Sequence, residues 1–334
     1  MKRRPFLKTT LALAALFVDG QQTFAGGPEQ KPTAEFAPAD KSDREFRRLV
    51  IDTADVERFY RVFDAAGGHP TAADLQRHYV DAGSDGLRQF ARLRDLSGET
   101  LAAAVAKDPA PFEKARGCVV LLPAVRERVS AALAKLALID PRATFPPVTI
   151  VIGRAKTGGT TSSSGVLVGL ETICSADFLE ANLEDRLVHL ITHEYGHVQQ
   201  SHAEETDRPG ATLLFASLIE GGAELVGELI GGSVAYPHLQ KWAQGREDGL
   251  ARTFLAERGK TDLSAWLYNG LGTLERPGDL GYLMGYRIAK AYYDRSSDKE
   301  RALADILQVS PESAEALLQQ SGFIPPAALV PPQP

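Results

Sequence analysis

Cysteine is nearly missing from this chain. Cys118 and Cys174 are the only two among 334 residues. A thiolate metal site needs cysteines clustered at short intervals, so this spacing excludes one. Both lie in apolar surroundings, Gly117-Cys118-Val119-Val120 and Thr172-Ile173-Cys174. They therefore read as buried free thiols, with a disulfide as the open alternative. Long hydrophobic runs are missing too. The apolar stretch Leu11–Val18 is far too short to span a bilayer, and no cysteine follows it to carry a lipid anchor. Positive charge is in deficit. Without residues 1–25, which hold Lys2, Arg3, Arg4, Lys8 and the single acid Asp19, 33 basic residues face 42 acidic ones, a net charge of −9. That argues against nucleic acid and anionic membrane surfaces as partners.

The start of the chain reads as an address. Lys2-Arg3-Arg4-Pro5-Phe6-Leu7-Lys8, the short apolar run and Thr23-Phe24-Ala25 before Gly26 form a secretory signal over 1–25. Arg3-Arg4 with Phe6-Leu7-Lys8 resembles the twin-arginine export signal. The expected location is periplasmic or secreted. Residues 26–40, rich in Pro, Gly and Ala, read as a linker. Residues 41–140 read as helical: one helix from Asp43 to about Ala66, another from Thr71, and further ones over 86–106 and 111–138. After Asp140-Pro141 the character changes. Residues 146–152 and 166–171 read as strands. Lys156–Gly165 between them reads as a flexible loop, either a lid over a cleft or the plain turn of a hairpin. One strand is expected to offer an edge for an extended peptide. Pro325–Pro334 read as a disordered tail.

One pentapeptide outweighs the rest. His193-Glu194-Tyr195-Gly196-His197 spells H-E-x-x-H, in a helix-like apolar run that begins at Leu187. On a helix, residues four apart are offset by about 40° and one turn, so both imidazoles reach one metal ion from one face. Glu194 can point at a water which that metal activates, as a general base. A catalytic zinc takes a third protein ligand. Leu218-Ile219-Glu220-Gly221-Gly222-Ala223-Glu224 offers one, on a second helix 23 positions after His197. Glu220 is the expected ligand. Glu224, one turn on, is placed to accept a hydrogen bond from a ligand imidazole and fix its tautomer. His189 reads as support or core, Tyr195 as core, and His202 sits on a poorer face. Tyr286 is a weak candidate for stabilising an oxyanion.

These residues carry a resemblance. H-E-x-x-H followed by E-G-x-A is similar to the gluzincin-type zinc metallopeptidases, in which the Glu before the Gly is the third ligand; that maps onto Glu220. Over Ile191 to about Leu307, Glu220-Gly-Gly-Ala-Glu-Leu-Val-Gly-Glu-Leu-Ile, Trp266-Leu-Tyr-Asn-Gly and Gly281-Tyr-Leu-Met-Gly-Tyr-Arg-Ile-Ala-Lys-Ala-Tyr-Tyr resemble a bacterial family of unknown function. That family is labelled predicted zinc-dependent protease and is related to gliding-motility lipoproteins. The resemblance implies an α+β, predominantly helical fold, with a zincin-like metallopeptidase domain over 141–324 behind the helical region. It also implies Zn2+ as cofactor and a peptide or protein as substrate. The alternative is a non-catalytic, metal-stabilised binding or assembly protein of the cell envelope. Retention of Glu194 favours the enzyme, since a structural site has no use for a base there.

Overall fold

The computed structural model describes residues 51–177, 182–233, 236–273 and 275–323. The signal, the linker, the first part of the Asp43–Ala66 helix and the Pro-rich tail lie outside them. The fold is α+β, mostly helical around a small mixed sheet. Strand β1 (Ile51–Asp52) runs parallel to β2 (Val148–Val151), and β2 runs parallel to β4 (Gly165–Gly169). β3 (Gly159–Ser162) pairs antiparallel with β4, with Gly159 opposite Val168. The order β1-β2-β4-β3 leaves β3 on the outside.

Two expectations change here. Ile51-Asp52 is strand rather than helix, and the helix α1 begins at Ala54 and ends at Ala65. Ile51 is buried beside Val148, a β-branched pair on neighbouring strands. Four of the ten residues of the expected loop 156–165 form strand β3, which makes a hairpin with β4, while the two expected strands on either side, β2 and β4, pair parallel and form no hairpin with each other. The Gly and Ser content of 156–165 describes the turn at Ser162–Gly165 and hides the Thr160-Thr161 core of the strand.

The helices of the first half are α1, α2 (Ala72–Leu75, continued by a π turn over Gln76–Val80), α3 (Asp85–Leu93), α4 (Gly98–Lys107), α5 (Ala110–Cys118) and α6 (Leu122–Ile139). Ser84 and Ser97 cap α3 and α4 through their side chains. The expected helix 86–106 is broken at Arg94–Ser97, where Asp95 is in left-handed backbone and Ser97 starts α4, and the expected helix 111–138 is broken at Val119–Leu121, just before Pro123. Helices α1 and α3 pack on β2 and β4. All four residues of β2 are buried, so the sheet is covered on both faces.

After β4 the chain forms α7 (Leu170–Ser175). Cys174 on α7 is bonded to Cys118 at the end of α5, with 6.4 Å between their Cα atoms. The free-thiol reading is thus overturned. Both sites are fully buried, and burial among apolar residues looks the same for a thiol and for half of a disulfide.

Three long helices build the rest: α8 (Leu183–Gln199), α9 (Leu213–Gly231) and α12 (Leu280–Arg295). Shorter helices α10 (Pro237–Ala243), α11 (Glu247–Glu257), α13 (Lys299–Leu307) and α14 (Ala314–Ser321) surround them. Asn182 caps α8 by accepting from the amides of Glu184 and Asp185, two acids placed where the helix dipole favours them. The crossings are very close. A methyl group on Gly196 of α8 would meet Ala223 Cα of α9 at 2.7 Å. One on Gly285 of α12 would meet the Ser217 carbonyl oxygen of α9 at 1.6 Å. Backbones touch at these points, and only glycine permits it. No helix among the described residues is long and apolar enough to cross a membrane.

Candidate metal centre

Helix α8 carries His193 and His197 one turn apart, and α9, crossing at Gly196, brings Glu220 to the same point. The Nε2 atoms of His193 and His197 lie 3.0 Å apart. Glu220 Oε2 is 3.2 Å from His197 Nε2 and 3.6 Å from His193 Nε2. The expected ligand set therefore converges, and these three atoms form a group able to hold one metal ion.

The neighbours fix which nitrogen carries the proton. Gln200 donates its amide N–H to the Ile219 carbonyl at 2.6 Å, so its Oε1 faces His197 Nδ1 at 2.7 Å. An amide oxygen only accepts, so His197 donates from Nδ1 and keeps a lone pair on Nε2. Glu224 Oε1 lies 2.8 Å from His193 Nδ1, a close charge contact that favours a proton on that nitrogen. The other oxygen of Glu224 is 3.2 Å from His189 Nε2, while His189 Nδ1 reaches the Ser233 carbonyl at 2.9 Å. His189 is thus a support behind Glu224, which bridges two imidazoles.

Two imidazole lone pairs and a carboxylate oxygen meet in a buried space and call for positive charge. Protons supply it when no metal does. Burial opposes a charged His193, but Glu224 and Glu220 overcome it and push its pKa up to about 10. Burial likewise works against ionised Glu220, but His197 and His193 pull it down to about 2. Glu224 is held below the usual carboxylate range by His189 and His193 against the same burial.

Glu194 is different. It is 1% exposed, its Oε1 has no hydrogen-bond partner, and burial raises its pKa, with His197 and His193 opposing. Strand β3 lies directly against it: a methyl group on Gly159 would sit 2.4 Å from Glu194 Oε1. Buried Arg94, after α3, donates from Nη2 to Thr160 Oγ1 on that strand at 2.5 Å, and its charge reaches Glu194.

Tyr286, the weak oxyanion candidate, is not placed for that role. Its hydroxyl donates to Glu228 Oε2 at 2.9 Å, two turns along α9 from Glu220. The phenol beside the ligands is Tyr268, whose hydroxyl donates to Glu220 Oε1 at 2.9 Å. Tyr268 sits in left-handed backbone, φ +57°, in a loop between α11 and α12. Such a conformation costs about 1–3 kcal/mol for a bulky residue. Tyr195 is core, with its hydroxyl on the Pro146 carbonyl, and His202 pairs with Glu205 away from the cluster. Sequence reasoning missed Tyr268, Gln200 and Arg94. The Asn269-Gly270 turn after Tyr268 was the available sign of irregular backbone.

Residues 159–314 match the model of a family described as Predicted Zn-dependent protease (DUF2268). This is the family whose resemblance the H-E-x-x-H helix and its downstream motifs carry. The matched segment begins at β3 and includes His193, Glu194, His197, Glu220, Glu224 and Tyr268. None of the curated proteins and none of the solved structures compared with the chain matches it.

Proposed function

We propose that this protein is an exported, zinc-dependent metallopeptidase of zincin-like architecture. The observation that carries the reading is the convergence of His193 Nε2, His197 Nε2 and Glu220 Oε2 at 3.0–3.6 Å beside the unpartnered Oε1 of Glu194. Ligand atoms at ordinary zinc distances and tetrahedral angles stand about 3.3 Å apart, so the donor set fits this ion. Zinc bound there supplies a Lewis acid for a substrate carbonyl and acidifies a water molecule. Glu194 accepts the proton of the attacking water and passes it to the leaving amine. Burial, which raises its pKa, makes it a better base. Glu224 and Gln200 hold the two imidazoles in the ligating tautomer.

Strand β3 supports a peptide as substrate. Among the described residues no strand pairs with its outer side, and its backbone at Gly159 abuts Glu194. An extended peptide adding to this edge would pass the base. The Cys118–Cys174 disulfide supports an oxidising compartment and so agrees with the export signal read from residues 1–25.

Replacing Glu194 tests the catalytic claim. Glu194→Gln keeps size and leaves every ligand in place, so zinc content should stay at one ion per chain. Hydrolysis, profiled on a peptide library, should fall by at least about 10²-fold, the low end for a lost general base. Full cellular activity in Glu194→Gln, with activity lost in His193→Ala, would make the metal structural and the peptidase reading wrong.

A further inference from the structure

The loop between α11 and α12 is built with more care than a connection needs. Asn269, midway along the loop, and Asp279, at its end, are locked together reciprocally. Asn269 N–H donates to Asp279 Oδ1 at 3.1 Å, and Asp279 N–H donates to Asn269 Oδ1 at 2.6 Å. Both Tyr268 and Asp279 are held at φ +57°. The Trp266 indole N–H donates to Glu257, and the Trp266 carbonyl accepts from Gly281 N–H at the start of α12. Among the contacts this brings about, the Tyr268 ring meets Tyr282 edge-on at 6.2 Å and its hydroxyl reaches Glu220 Oε1. Strain in a residue that the surrounding structure over-determines points to a task for that residue.

A carboxylate has two oxygens, and both can bind one metal ion. Glu220 Oε2 faces the two imidazoles, while Oε1 is turned to Tyr268. We infer that Tyr268 is a positioning residue that keeps Glu220 a single-oxygen metal ligand, with the Asn269–Asp279 latch setting the reach of its hydroxyl. With Oε1 engaged, the remaining coordination position is left for substrate, which is what separates a catalytic zinc site from a closed structural one. The inference rests on the metal reading above, but the zinc-binding residues alone do not imply it.

Cobalt(II) tests it, because its visible absorption falls in intensity as coordination rises from four to five. The full-length exported chain, stripped of metal, is loaded with cobalt as wild type, Tyr268→Phe and Asn269→Ala, and zinc affinity is measured by competition with a chelator. Wild type should take one cobalt with a strong four-coordinate band. Tyr268→Phe should still take one, with a weaker, shifted band and a zinc affinity changed by about tenfold or more, the usual effect of a partner behind a ligand. Asn269→Ala should move the same way by less, and the metal-free forms should keep the wild-type circular dichroism. A Tyr268→Phe protein with the wild-type band and affinity overturns the inference and leaves the metal reading standing. A wild type that binds no cobalt or zinc overturns both. If Tyr268→Phe does not fold, Asn269→Ala decides: an unchanged band overturns the role of the latch and of the residue it aims.

Discussion

Around Phe59 the interior is made of rings, and around His193 it is made of charges. Phe59 stacks near Phe63, Tyr79 and Phe112 with centroids 5.5–6.0 Å apart, and α1 to α6 turn mostly aliphatic faces to the same cluster. In α8 and α9, His189, His193, Glu194, Glu220 and Glu224 are all under 5% exposed. A fully buried Phe or Leu contributes about 1.5–3 kcal/mol. A buried ion costs several kcal/mol unless a partner repays it. The first region therefore carries the stability that the second can be short of. The candidate site sits where the fold gains least.

The contrast can be broken first at the disulfide. Closing 56 residues of chain by Cys118–Cys174 restricts the unfolded state by about 4 kcal/mol in the chain-entropy account. The double change Cys118→Ala with Cys174→Ala should lower the unfolding free energy, read by denaturant titration, by that amount and leave one zinc per chain. Zinc lost in step with stability would show that the two regions are not separable.

A smaller effect is expected from Gly285→Ala. The new methyl group must push α12 off the Ser217 carbonyl, at about 1–3 kcal/mol. Glu220 rides on the same helix α9 one turn further on, so zinc affinity should weaken together with thermal stability. Unchanged affinity in a destabilised variant would detach the ligand geometry from the crossing.

Third in size is the response to pH. With its pKa pushed up to about 10, His193 is protonated at neutral pH in the metal-free protein. Zinc must displace that proton, so affinity should rise with pH, by about tenfold per unit for each proton released, and level off above about 10. Calorimetry in buffers of different ionisation enthalpy counts the protons. Zinc binding with no proton released would contradict the charge balance of the cluster.

Glu228→Ala should do least. Glu228 accepts from Tyr286 and stands 3.6 Å from Lys290, outside the cluster. Its loss should cost about 1 kcal/mol or less and leave zinc content as it was. Lost metal in this variant would move the site along α9.

Much of the metal centre was legible because its logic is periodic. A four-residue step on one helix and a Glu-Gly step on another suffice to name His193, His197 and Glu220, and the same step offers Glu224. Tyr268 was not legible, because it reaches Glu220 across 48 positions from a loop whose backbone breaks the usual rules. Strand β3 was read as loop for a related reason. Gly158-Gly159 and Ser162-Ser163-Ser164 look like loop, yet Gly159 is glycine because Glu194 leaves no room for a side chain. The disulfide was out of reach since both partners report only burial. The helices of the first half were found as stretches, but the joints inside them, at Arg94–Ser97 and Val119–Leu121, were not, because neither carries a Gly or Pro of its own.

Gly196 sits inside the metal motif and is also the floor on which α9 rests. The separation of the histidines from Glu220 is thereby tied to a contact of two backbones. If that contact sets the site, the chain should fold with its three donors in place before any ion arrives, and a chelator should strip the metal while leaving the circular dichroism unchanged.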